Sequence, residues 1–138
     1  MSTSTPLPSA VLFVADVPSM NRFYREVASM NVVHEDFEHA VLEAVGFQLT
    51  IHALKTEPAP RRDSQGNVLV REDSYWKLCF PVESIAAARL RALELGGVIK
   101  SHEHEWSARG FRACDGCDPE GNVWASVDEP ADSTGPAI

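Results

Sequence analysis

This chain is short of several things, and each shortage closes off a class of protein. It has three cysteines in 138 residues. An odd, small number suits a reducing compartment better than a disulfide framework. No apolar run approaches the ~18 residues that would cross a bilayer, although 44% of the residues are hydrophobic. Basic residues are scarce: 12 Lys and Arg stand against 20 Asp and Glu, a formal net charge of −8. That balance argues against a nucleic-acid backbone or an anionic membrane as partner and is compatible with a neutral or cationic small ligand. The opening MSTSTPLPS lacks the basic and apolar regions of a secretion leader, so a cytoplasmic protein is expected.

What the chain does have is a duplication. Residues 9–54 read as a strand, a helix and three strands, and residues 75–128 repeat that order after a polar connection at 55–74. The first copy opens SAVLFVADVPSMNRFYREV and the second YWKLCFPVESIAAARLRALELGG. The ends, 1–8 and 129–138, are rich in Ser, Thr, Pro and Gly and are expected to be flexible. Length alone indicates one domain. The predicted fold is α+β: two tandem βαβββ modules forming a curved mixed sheet around a cleft.

Periodicity assigns faces. Ala10, Leu12 and Val14 share one side of strand 1; Ser9, Val11 and Phe13 share the other. Met20, Phe23, Tyr24 and Val27 fall on one side of the first helix, with Pro18 in its first turn. In Gly46–Leu54, Phe47, Leu49, Ile51 and Ala53 alternate with Gln48, Thr50 and His52, so one face is packed and the other lines something polar. In the second module Trp76, Leu78, Phe80 and Val82 share a face, which makes Trp76, like Trp124, a core residue. Ser84 caps a helix whose apolar side is read as Ile85, Ala86, Leu90 and Leu93, ended by Gly96 and Gly97. Strands are expected near 98–104, 111–114 and 122–127, with a small hairpin in the connection using Val68–Val70 as one arm.

These features together resemble a known group. Asp16-Val17-Pro18 opens the first helix, Leu95-Gly96-Gly97 ends the second, and Asp118-Pro119-Glu120-Gly121-Asn122 precedes the last strand. The paired unit resembles the vicinal oxygen chelate superfamily of glyoxalase I, extradiol dioxygenases, fosfomycin-resistance enzymes and bleomycin-resistance proteins. The resemblance implies a homodimer and, in the metal-using members, an ion held by His or Glu at four strand positions. Those positions fall here on Ser9, Gln48, Lys77 and Ala125. Ser and Gln are weak neutral ligands, Ala has no donor, and Lys brings a positive charge to the cation's place. The resemblance therefore implies a protein without metal or other cofactor, close in character to the bleomycin-resistance branch. It would bind a hydrophobic, aromatic or cationic small molecule and protect by sequestration. The rival is a lyase, isomerase or oxygenase with a rebuilt metal site drawing on His52, His102 and His104.

The expected ligand-binding residues are Ser9, Phe13, Gln48, Thr50, His52, Tyr75, Lys77, Trp106 and Ala125. His52 reads as a general base or, more simply, as a ligand-contacting side chain at a cavity mouth. Lys77 reads as a Schiff-base lysine or, more simply, as the partner of a carboxylate. Tyr75, Trp106 and Phe13 are aromatic walls for a flat ligand, and Trp106–Gly110 resembles the family's cavity-rim loop. His102 and His104 could share a strand face as metal ligands or face solvent, and Cys114 and Cys117 form one pair where a zinc ribbon needs two.

Overall fold

The computed structural model describes residues 6–55 and 60–129. The expected flexible ends lie largely outside these, at 1–5 and 130–138. The elements run β1 (Ser9–Val14), α1 (Val17–Val27), β2 (Asn31–Glu35), β3 (His39–Ala44), β4 (Phe47–Ala53), β5 (Leu78–Pro81), α2 (Ile85–Glu94), β6 (Val98–Ile99), β7 (Trp106–Ala108), β8 (Phe111–Cys117) and β9 (Val123–Asp128). Each module builds its own mixed sheet, in the orders β1-β4-β3-β2 and β5-β9-β8-β6, with β7 added to β8. The first strand of each module runs parallel to the last, and the other pairs are antiparallel.

Local chemistry starts both helices. The Asp16 carboxylate accepts the Ser19 N–H and the Ser84 hydroxyl accepts the Ala87 N–H, each at 3.1 Å. Both satisfy an amide that a helix start leaves open. Remote carboxylates then hold the same ends. Glu120 accepts the N–H groups of Ala15 and Asp16, and Asp128 accepts that of Ile85 at 2.7 Å.

One core joins the modules. Val14, Met20, Phe23, Tyr24, Leu42, Leu49 and Ile51 of the first module pack in one cluster with Phe80, Ile85, Ala92 and Trp124 of the second. Phe23 and Tyr24 meet the Trp124 ring edge-on, both at 6.0 Å between centroids. The face assignments for β1, β4, α1 and Trp124 agree with this core.

Four expectations need correction. Leu90 and Leu93 are each 69% exposed; α2 buries Ile85 as expected, but with Ala88 and Ala92 in place of the leucines. The sequence reading weighted side-chain size, whereas the packing uses small residues that let α2 approach closely. Trp76 is 83% exposed and is no core residue. The ladder with β9 begins only at Leu78 opposite Trp124, so Tyr75–Lys77 stand ahead of the strand. Residues 102–104 form a single 3-10 turn instead of a strand, so His102 and His104 do not alternate on a sheet face. Trp106–Ala108 is itself a strand, turned into β8 through Arg109 and Gly110, both at positive φ.

The connection folds back over the second module. Arg62 bridges Val68 across a turn at Asp63–Asn67. The Arg71 N–H donates to the Gly121 carbonyl at 2.8 Å, tying this segment to the Asp118–Asn122 turn.

Candidate ligand site

On the second sheet, Lys77 stands at the head of β5 and Asp115 on β8. The Lys77 ammonium donates to Asp115 Oδ1 at 2.9 Å and lies 5.4 Å from the centre of the Trp106 ring. Of the two expectations for Lys77, the structure displays the carboxylate pair. A cavity of about 420 Å³ opens beside it, walled by Tyr75, Trp76, Lys77, Asp115, Val68 and Val70. A second cavity of about 400 Å³ lies between β1 and the start of the second module, reaching Ser9, Val11, Trp76 and Leu78. Trp76 lines both cavities. The exposed indole is thus explained by its position between two hollows. The sequence reading took Val68–Val70 as one arm of a surface hairpin; Val68 does bridge Arg62, and Val68 and Val70 also wall the cavity.

The open face of the first sheet carries a different arrangement. Strand order places Phe13, His52, His39 and His34 in a row across β1, β4, β3 and β2. Successive ring centroids are 5.7, 5.8 and 4.7 Å apart. The His52 Nδ1 donates to the Ala53 carbonyl at 3.0 Å, because a carbonyl only accepts, and that leaves Nε2 with its lone pair. At the far end Asp36 takes the His34 Nε2 at 2.9 Å and the His39 Nδ1 at 3.4 Å. The His34 hydrogen bond, with the backbone amides of His39 and Glu38, holds the Asp36 carboxyl well below its ordinary range. The sequence pattern singles out neither His34 nor His39. A β-bulge between Val32 and His34 sets their contact, and no periodicity reveals it.

The expected site residues therefore divide. Tyr75, Lys77 and Trp106 gather at the second sheet, and Ser9 lines the adjoining cavity. Phe13 and His52 belong to the ring row. Gln48 is opposite Ser9 and points its amide to Glu43 Oε1 at 3.4 Å, while Thr50 is opposite Val11. Ala125 is buried, opposite Cys79 and Asp115. The three histidines of the rival metal set do not converge. His52 is on β4, His102 reaches Glu105 at 3.2 Å, and His104 reaches the Ser101 hydroxyl at 3.2 Å. Burial pushes the Cys114 and Cys117 thiols up, away from the thiolate that a metal requires.

A family profile described as a glyoxalase-like domain matches residues 9–126. The chain belongs to the glyoxalase-like domain family. Solved structures agree on the fold. An integron cassette protein from the mobile metagenome of V. cholerae is 23% identical, with TM-score 0.60, covering 94% of this chain and 99% of that one. A glyoxalase/bleomycin resistance protein/dioxygenase family enzyme from Burkholderia phytofirmans is 13% identical, with TM-score 0.63, covering 91% and 100%. A genomically encoded fosfomycin resistance protein from Listeria monocytogenes is 13% identical, with TM-score 0.58, covering 96% and 98%. No curated protein matches the chain.

The glyoxalase-like fold lets its usual ion be tested against the residues present. Ser9 and Gln48 are in register across β1 and β4, as two ligand positions should be. In the second module Ala125 is opposite Cys79, two residues along from Lys77. Whether Lys77 or Cys79 is taken as the fourth position, the set holds no His and no carboxylate. These residues do not fit the family's divalent ion.

Proposed function

We propose that this protein is a metal-independent small-molecule binding protein, similar in action to bleomycin-resistance proteins, holding a flat aromatic or cationic ligand beside Lys77. The observation that carries this reading is the cavity of about 420 Å³ in which exposed Tyr75 and Trp76 rings flank the Lys77–Asp115 pair. Aromatic faces supply area and cation–π attraction, and Asp115 offers a charge to a cationic ligand that displaces Lys77 from it. Sequestration needs no reacting group, in keeping with a cavity that pairs its best nucleophile candidate with a carboxylate. A metal-dependent lyase, isomerase or oxygenase is the competing class, and two neighbouring structures are described as enzymes.

We also infer a homodimer. Val11 and Phe13 are both more than half exposed, an apolar surface on β1 that a second copy would cover. Among the described residues no helix is long and apolar enough to cross a membrane. The three free thiols support a reducing, cytoplasmic setting.

The test is a thermal-shift screen of aromatic and cationic small molecules in chelator-treated buffer, followed by calorimetry on Lys77→Ala. The reading predicts a hit whose affinity survives chelation and changes in the variant, rising for a cationic ligand that takes up the freed Asp115 carboxylate. Product formation that requires added metal would overturn it in favour of the enzyme.

A further inference from the structure

We propose that His34, Asp36 and His39, at the β2–β3 turn, form a binding site for a first-row divalent transition-metal ion such as Zn²⁺ or Ni²⁺. This site is separate from the Lys77 cavity and from the four family positions.

Spacing is the first ground. Each of the three residues offers one ligand atom, and all three atoms lie within 4.8 Å of one another. Ligands bound to one ion at about 2.0–2.1 Å in tetrahedral geometry stand roughly 3.3 Å apart. His34 Nε2 stands 2.9 Å from Asp36 Oδ2 and His39 Nδ1 stands 3.4 Å from Asp36 Oδ1, so each imidazole already meets one oxygen of the carboxylate at close to that spacing. Sharing one ion requires the two imidazoles to draw closer to each other and to the same carboxylate oxygen. Their side chains are 50% and 34% exposed, so a rotation against solvent is open to them.

The second ground is that the turn does not need the imidazoles. Asp36 Oδ1 accepts the N–H groups of Glu38 and His39 at 2.8 and 2.9 Å, and the Asp36 N–H donates to the His39 carbonyl at 2.9 Å. Those bonds fix the hairpin and aim Oδ2 outward toward His34. Stacking on His52, itself anchored to the Ala53 carbonyl, braces the His39 ring from behind. A supporting neighbour that orients a ligating imidazole is the usual companion of a metal site.

Donor chemistry names the ion class. Two imidazoles and one carboxylate suit borderline ions such as Zn²⁺, Ni²⁺ and Cu²⁺, whereas Ca²⁺ and Mg²⁺ want six or more oxygens. Exposure leaves the remaining positions to water.

Calorimetry with Zn²⁺, and visible absorption with Co²⁺, would be run on the full chain after chelator treatment. The expected result is one ion per chain, affinity reduced at least tenfold in His34→Ala and in His39→Ala, and no comparable binding of Mg²⁺. The His102→Ala/His104→Ala variant should match the native protein. Asp36→Asn, which can still cap the turn through its amide oxygen, tests the carboxylate without removing the hairpin and should also weaken binding. Binding unchanged in His34→Ala and His39→Ala, binding lost only in His102→Ala/His104→Ala, equal uptake of Mg²⁺, or no Zn²⁺ binding would each overturn the proposal.

Discussion

The Tyr24 hydroxyl donates to Asp118 Oδ2 at 2.6 Å inside the core, bonding the first module's helix to the turn before the second module's last strand. Asp118 is 1% exposed and also accepts the N–H groups of Glu120 and Asn122. The Asp118–Asn122 motif that announces the family is therefore a structural joint. Tyr24→Phe should destabilise the protein by about 1–3 kcal/mol, since it leaves a buried carboxylate oxygen short of a donor. Urea denaturation checks this. An unchanged midpoint would mean that water replaces the hydroxyl.

The same carboxylate gives a pH signature. Burial pushes the Asp118 carboxyl above its ordinary 3.8, outweighing its hydrogen bonds. From 3.8 up to the raised folded value the native state holds the proton more tightly than the unfolded chain, so stability from this group falls as pH rises through that window. Asp118→Asn removes the titration. The stability of the native protein relative to Asp118→Asn should therefore grow as pH is lowered from neutral toward 4. Denaturation curves for both proteins across that range test the sign, and a difference that shrinks on acidification would contradict it.

Gly97 is a second joint. A Cβ there would sit 2.4 Å from the Phe23 ring and 2.7 Å from the Cys117 carbonyl. The ring is wedged edge-on against Trp124, so it has little freedom to move. Gly97→Ala should cost about 1–3 kcal/mol through overpacking, read as a lowered melting temperature. Gly66→Ala is the comparison. It meets open space, although its φ of +87° adds some backbone strain of its own.

Much of this was legible in the sequence. Strict alternation in 47–53 and the 3.6-residue spacing of Met20, Phe23, Tyr24 and Val27 fixed the buried faces, because burial on one side is what such patterns encode. Helix α2 misled because it buries two alanines and exposes two leucines. Trp76 misled because its parity was correct for a strand that starts two residues later. The His34–Asp36–His39 contact depends on a bulge, and the cavity wall at Val68 and Val70 depends on where the connection folds. Neither leaves a local pattern in the chain.

Chelation should leave the fold intact. The residues at the family's ion positions, Ser9, Gln48, Ala125 and either Lys77 or Cys79, supply no imidazole or carboxylate, and the core closes through Phe23, Tyr24, Phe80 and Trp124 without them. A metal that binds only the folded state would raise the melting temperature through mass action. Equal melting temperatures with and without chelator, on protein prepared in metal-free buffer, are expected. A drop of several degrees together with loss of one ion per chain would show a structural metal.

The two sheet faces predict opposite outcomes for two kinds of truncation. Leu49 is fully buried on the face of β4 toward the common core, so Leu49→Ala should cost about 2–5 kcal/mol of stability. Trp76 is largely exposed and walls both cavities, so Trp76→Ala should leave the melting temperature within a degree or two. Losing that aromatic wall removes roughly 1–3 kcal/mol of ligand contact, which is about tenfold or more in affinity. Lys77→Ala breaks the pair with Asp115 and the contact with Trp106, and should change affinity in a way that depends on ligand charge. A cationic ligand gains the freed carboxylate, while an anionic one loses its counter-ion. Calorimetry on one cationic and one anionic hit from the screen separates the two. If both ligands ignored Trp76 and Lys77, the working cavity would lie elsewhere, and the ring row of Phe13 and His52 would be the next face to truncate.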